Sequence, residues 1–173
     1  MLFSCAIGGF LRSHRLGRPA RLIAIILVAG AGLFPVLAGE AFYLGTWKIA
    51  SAVEAPWTDP KWKPDPAEMK SLVGKMVVFK ANEITGPRIM ACKAPNYRVV
   101  EIPAEGLFQG AFDEMHTRDK SVDPLKLAQK VGFKGTSWKS LQTGCANELD
   151  FHFVDPATAE FGLNDWVYTM KKQ

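Results

Sequence analysis

Three ionisable residues, Glu148, Asp150 and His152, alternate with Leu149, Phe151 and Phe153. In a strand this spacing puts the first three on one face and the apolar three on the other. Two carboxylates beside an imidazole can perform acid–base chemistry or hold a metal. That would make the protein a hydrolase or a metal-assisted enzyme. Side chains from a single strand point in parallel, however, and converge poorly on one atom. A solvated face opposite a Leu-Phe-Phe row explains the same pattern. We therefore expect no catalytic residue, no metal ligand and no cofactor here.

A second polar group, Asp113, Glu114, His116, Arg118 and Asp119, reads as a solvated segment between ordered elements. Ser137 and Ser140 have no local partner that marks a nucleophile. The chain has no nucleophile elbow, phosphate loop, dinucleotide fingerprint, C-x-x-C or H-x-x-x-H spacing. Cys92 and Cys145 are the cysteines that follow the apolar N-terminal run, and Cys5 precedes it. In an oxidising compartment the two pair; the alternative is two buried thiols.

The stretch 55–66, APWTDPKWKPDP, is chemically distinctive in a different way. Its prolines forbid regular structure. Trp57 and Trp62 must pack on something or meet a partner. One reading has both rings capping the open end of a β-barrel. The other has Trp57, Lys61, Trp62 and Lys63 forming a stiff aromatic lip for ligand binding. Stiffness favours recognition, because little order has to be gained on binding.

Export sets the compartment for all of these residues. Residues 1–21 carry Arg12, Arg15, Arg18 and Arg21 and no acid, and 22–39 is an uncharged apolar run. Small residues follow at Ala38, Gly39 and Ala41. This is the order of a secretory signal, with cleavage after Ala38 or Ala41. An uncleaved anchor through 22–39 is the alternative, with residues 42–173 facing the periplasm from the inner membrane. We expect 1–41 to be targeting sequence and 42–173 to be a single β-rich periplasmic domain. The net charge of +4 belongs to the N-terminus: from Phe42 onward there are 17 Lys/Arg against 16 Asp/Glu. That balance, with no basic cluster, argues against nucleic-acid binding.

The elements that would position these residues are mostly strands. The first, through 42–50 and on to Glu54, should turn Tyr43, Gly45, Trp47, Ile49, Ser51 and Val53 inward. Further strands are expected at 76–80, 84–85, 89–92, 97–102, 137–143, 148–154, 158–163 and 166–170. Two short helices have clear punctuation: Asp65-Pro66 to Gly74, and Asp123-Pro124 to Gly132. Residues 104–115 are ambiguous, because Gly106 and Gly110 weaken a helix. Short turns between strands and only two brief helices imply a small antiparallel β-barrel or sandwich.

Gly45-Thr46-Trp47 resembles the G-x-W opening of lipocalins and the wider calycin group. That resemblance implies a barrel whose first-strand Trp packs against a basic residue of a late strand, here Lys171 or Lys172. The chain departs from lipocalins in having no long helix after its last strand. Leu44-Gly45-Thr46-Trp47, Ala91-Cys92-Lys93, Thr143-Gly144-Cys145, Leu163-Asn164 and Tyr168-Thr169 are similar to uncharacterised small exported proteins of Gram-negative bacteria. This second likeness implies a periplasmic place and a Cys92–Cys145 bridge, and brings no catalytic residue. Periplasmic lysozyme inhibitors are comparable in architecture alone. The expected function is non-enzymatic binding or interaction, lipocalin-like or inhibitor-like, with a small apolar ligand or an envelope protein as partner. A purely structural envelope role is the remaining alternative.

Overall fold

The computed structural model describes residues 41–173. The targeting segment expected at 1–41 lies outside the described residues except for Ala41. Among the described residues no helix is long and apolar enough to cross a membrane.

Among the described residues nine antiparallel strands form one curled, half-barrel sheet, joined by three α-helices and a kinked 3₁₀ segment. The strands are β1 (Gly45–Glu54), β2 (Met76–Phe79), β3 (Glu83–Thr85), β4 (Cys92–Lys93), β5 (Arg98–Pro103), β6 (Ser137–Gln142), β7 (Asp150–Asp155), β8 (Thr158–Leu163) and β9 (Trp166–Lys172). Their spatial order is β4-β3-β2-β1-β9-β8-β7-β6-β5. Each strand pairs with its sequence neighbour, β1 pairs with β9, and the ring is left open between β4 and β5. This is an up-and-down barrel order with one seam unzipped. Across the seam, Cys92 of β4 is bonded to Cys145, just beyond β6. The Asn96 N–H donates to the Thr143 carbonyl at 2.8 Å, and the Tyr97 hydroxyl donates to the Lys80 carbonyl at 2.9 Å. The covalent link and the Tyr97 hydrogen bond tie the two sides of the seam together, while the Asn96 bond continues the β5–β6 ladder.

The helices are α1 (Pro66–Leu72), α2 (Ala111–Arg118) and α3 (Pro124–Lys130). Asp65 and Asp123 cap α1 and α3 as the sequence implies, each accepting backbone N–H bonds. Gly74 and Gly132 stop them in left-handed conformation, at φ +87° and +102°. Two expectations fail. Residues 89–92 do not form a strand: 87–90 is a turn, and only Cys92–Lys93 pairs, with β3. The ambiguous stretch resolves into the 3₁₀ segment Ala104–Gly110 followed by α2, so there are three α-helices rather than two.

Both faces of the sheet are covered. One face holds the core of Trp47, Ile49, Val77, Phe79, Leu141, Phe151, Phe161, Tyr168 and Met170, with α1 adding Leu72. Aromatic rings fill it in sequence. Phe79 meets Phe151 at 4.9 Å, Phe151 meets Phe161 at 5.6 Å, and Phe161 stacks on Tyr168 at 4.9 Å. The second face carries Phe108, Phe112, Leu127, Phe133, Trp138 and Val167 beneath the 3₁₀ segment, α2 and α3. At about 25 cal/mol per Å² of buried apolar surface, both layers contribute substantially to stability. The central strands are therefore apolar on both sides, and simple alternation does not describe them.

β1 shows a second departure. Trp47 and Ile49 are fully buried, but the pairing with β9 slips between Ile49 and Ser51. This bulge moves Ala52 and Glu54 onto the Tyr168 and Trp166 side. Ser51 and Val53, expected inward, take the other side, where Val53 is 52% exposed.

Candidate functional site

β7 begins at Asp150, so Glu148 lies outside it, in a turn with φ +54°. The alternation that would align Glu148 with Asp150 and His152 is broken there. Glu148 is exposed, and its carbonyl accepts from Gln109 Nε2. Asp150 is half-buried across from Gln142 on β6; burial raises its pKa, and the hydrogen bond from Gln142 opposes the shift. His152 is fully buried. The expectation that its face is solvated fails, because the 3₁₀ segment and the helices lie over it. Among the described residues no three His, Cys, Asp or Glu side chains form a metal-binding group.

His152 has a clear structural task. Its Nε2 accepts the Phe108 backbone N–H at 2.9 Å. The neutral ring then carries its proton on Nδ1, which donates to Ser140 Oγ at 2.9 Å. Desolvation pushes its pKa down to about 3. Serine activation needs the opposite polarity, with an imidazole lone pair facing the hydroxyl. Here both ring nitrogens are occupied, and the pair serves to hold Phe108. Phe108 and Gln109 both sit in left-handed conformation, at φ 52° and 56°, which is strained for side-chain-bearing residues. The histidine bond fixes that kink and aims the Phe108 ring at Trp57, 5.2 Å away.

Glu160 belongs to none of the groups that the sequence marks as candidates. Cross-strand register places Ser140, His152, Glu160 and Thr169 in one row over β6, β7, β8 and β9. Glu160 is 6% exposed. Its Oε1 accepts from Thr169 Oγ1 at a long 3.4 Å, and Oε2 has no partner. Burial raises its pKa to about 8, opposed by the Thr169 bond and by Lys171. The signal was a lone acid inside Thr158–Leu163, a run that is otherwise apolar or small. Two further buried oxygens lack partners, Tyr168 Oη and Glu68 Oε1, with Glu68 Oε2 accepting from Asn164 Nδ2. Burial chiefly, with Glu68 nearby, pushes the Tyr168 pKa up to about 12.

The Asp113–Asp119 group is local scaffolding. His116 Nδ1 lies 2.7 Å from the Val122 carbonyl, Arg118 Nε donates to the Glu114 carbonyl, and Asp119 accepts from the Ser121 N–H and hydroxyl. Those Ser121 bonds hold the Asp119 pKa below its usual value.

The proline loop divides its two tryptophans. Trp57 is half-buried; its Nε1–H donates to the Asn164 carbonyl at 2.8 Å, and its ring packs on Phe108 and Phe112. Gly162 makes room for it, since a Cβ there would lie 3.1 Å from Trp57 Cη2. Trp62 is 62% exposed, the most exposed large apolar side chain among the described residues. Its N–H closes a turn onto the Asp59 carbonyl. Lys61 and Lys63 flank it, both exposed. Between this loop and the end of α2 is an open cleft of about 400 Å³, lined by Trp57, Asp59, Pro60, Met115, Arg118 and Val122. The loop thus caps the helix-covered face with Trp57 and presents Trp62 outward.

At the opposite end, Trp47 Nε1–H donates to the Tyr43 carbonyl. Lys172 lies over the Trp47 ring, with Nζ 5.7 Å from its centroid, and donates to the Phe42 carbonyl. Lys171 is on the other face and donates to Thr158 Oγ1. Of the two lysines expected as partners of Trp47, the structure selects Lys172, because strand register puts Lys172 opposite Trp47 and Lys171 opposite Lys48. Gly45, at φ +115°, comes close to this lysine: a Cβ there would lie 3.5 Å from Lys172 Cε. In comparisons with known proteins, no family model, curated protein or solved structure matches this chain.

Proposed function

We propose that this is a non-enzymatic binding or interaction protein of the periplasm, acting through the outward lip of the proline loop. The observation that carries the reading is Trp62: a large ring, 62% exposed, held on a loop whose neighbouring Trp57 is anchored into the fold. Exposed aromatic side chains on a stiff frame are the residues that dominate protein interfaces. Lys61 and Lys63 beside it suit an acidic or polar rim on the partner. The core face is filled by aromatic rings, which favours an envelope protein bound at the surface over a small ligand carried inside. The Cys92–Cys145 bond supports an oxidising compartment, in keeping with the export expected from residues 1–41. The G-x-W opening with Lys172 over Trp47 supports a calycin-like barrel. The open seam and nine strands set it apart from an eight-stranded one.

The test is a photo-crosslinking residue at position 62, with the protein expressed and exported in its host. One discrete envelope-protein adduct, weakened by Lys61→Glu with Lys63→Glu, supports the proposal. Absence of any adduct, together with unchanged quenching of Trp62→Ala by envelope extract, would overturn it. A purely structural role, which the filled interior also suits, would then remain. The enzymatic alternative through Glu148, Asp150 and His152 has no geometric support.

A further inference from the structure

A second cleft, of about 350 Å³, lies at the Trp47 end of the barrel, where β7 turns into β8. Phe42, Trp138 and Phe153 form its walls, and Lys139 and Asp155 stand at its edges. Its size is within the range of small-molecule sites. It is assembled from three distant parts of the chain. Phe42 precedes β1 and meets Phe153 at 4.7 Å, edge to face; Trp138 and Lys139 belong to β6. The Trp57–Trp62 loop is at the other end of β8, so this cleft is independent of the surface discussed above.

The polar groups around the cleft are already engaged, with one exception. Trp138 Nε1–H donates to the Lys134 carbonyl, Ser137 Oγ donates to Glu101, and Asp155 Oδ1 accepts the Ala157 N–H. Lys139 is the exception. Its strand partner across the β5–β6 ladder is Glu101, yet Glu101 is held by Ser137. Among the described residues Lys139 forms no ion pair. Its Nζ lies instead 5.2 Å above the Phe42 ring, at the lip of an aromatic-walled space. A cation stacked on one wall with an apolar floor beside it is complementary to a flat apolar body bearing one negative charge.

We propose that this cleft binds a compact aromatic anion, a planar one- or two-ring body carrying a carboxylate or sulfonate. The ring system would lie against Phe42 and Phe153, and the acid group would meet Lys139. Asp155, which also lines the cleft, would disfavour an anion placed beside it and so favour the Lys139 side.

The test uses the exported protein and three probes: anilinonaphthalene sulfonate by fluorescence, and naphthoate and neutral naphthylmethanol by displacement and calorimetry. Naphthoate is expected to displace the sulfonate and to bind about tenfold more tightly than the alcohol, the factor for one charge-assisted contact at a partly exposed site. Lys139→Gln should abolish that preference and Lys139→Arg should keep it. Phe42→Ala should weaken acid and alcohol alike, and Trp62→Ala should change neither. Equal affinity for acid and alcohol, an unchanged preference in Lys139→Gln with a native circular dichroism spectrum, or loss of binding in Trp62→Ala would each overturn the proposal.

Discussion

Replacing Glu160 by Gln should flatten the alkaline side of the stability profile. In the folded protein the carboxyl keeps its proton up to about pH 8, against 4.5 for the ordinary group. The unfolded chain releases that proton more readily, so the unfolded state gains as pH rises. The raised folded pKa therefore gives a contribution that is intact below pH 4.5 and is lost progressively toward pH 8. The loss runs at about 1.4 kcal/mol per pH unit and reaches roughly 3 kcal/mol by pH 7. His152, the neighbour of Glu160 in the same row, has the opposite sign. Its folded pKa is depressed to about 3 from 6.5, so its contribution is intact above pH 6.5 and is lost as pH falls toward 3. Between pH 4.5 and 6.5 the two slopes cancel. The wild-type protein should show a plateau there, an acid fall below it and an alkaline fall from pH 6.5 to 8. Glu160→Gln should remove the alkaline fall and, with nothing left to cancel the His152 slope, the acid fall should begin near pH 6.5 instead of pH 4.5. The absolute gain at pH 7 is a poorer readout, because the amide places a new donor where Oε2 has no partner, at a cost of about 1–3 kcal/mol. Urea unfolding at half-unit pH steps measures both slopes. An alkaline fall of the same size in the Glu160→Gln protein would refute the reasoning.

Three other outcomes follow from the geometry. Removing the bond with Cys92→Ser and Cys145→Ser, which frees a link over a separation of 53 residues, should lower stability by about 4 kcal/mol and loosen β4 at the seam, measured by urea unfolding and by hydrogen exchange at Ala94, whose N–H donates to the Asn82 carbonyl. Gly162→Ala should overpack the Trp57–Phe108 contact, cost about 1–3 kcal/mol and shift tryptophan emission. Lys172→Met should cost about 1 kcal/mol and perturb Trp47 emission, while Lys171→Met should leave that emission unchanged.

The short-range features were legible in the sequence because their causes are local. Asp65-Pro66 and Asp123-Pro124 start helices through a side-chain cap and a fixed φ, wherever the helix later packs. β8 spans 158–163 as the sequence implies, because Asp155-Pro156 and Asn164-Asp165 bracket it with turn chemistry. The candidate sites were less legible. Alternation in β7 implies one wet and one dry face, and the structure departs from it because a second layer of helices covers the Asp150–His152 side. The bulge after Ile49 reversed the faces of Ser51 and Val53, and no residue type announces a bulge there. The 89–92 strand failed because the sheet ends at β4 with two paired residues.

What the chain determined by itself was the punctuation of its elements, the mainly β content and a pair of cysteines placed to bond. These depend on backbone preference, turn chemistry and periodicity, all of which act over a few residues. Tertiary structure decided which polar residues are dry. It buried His152 and Glu160 side by side through strand register, chose Lys172 over Lys171 for Trp47, and drew Trp57 inward while leaving Trp62 in solvent. It also assembled the Phe42–Trp138–Phe153 cleft from segments nearly a hundred residues apart. Burial is a property of the whole packed molecule, so only long-range contacts settle which groups keep their water and which lose it.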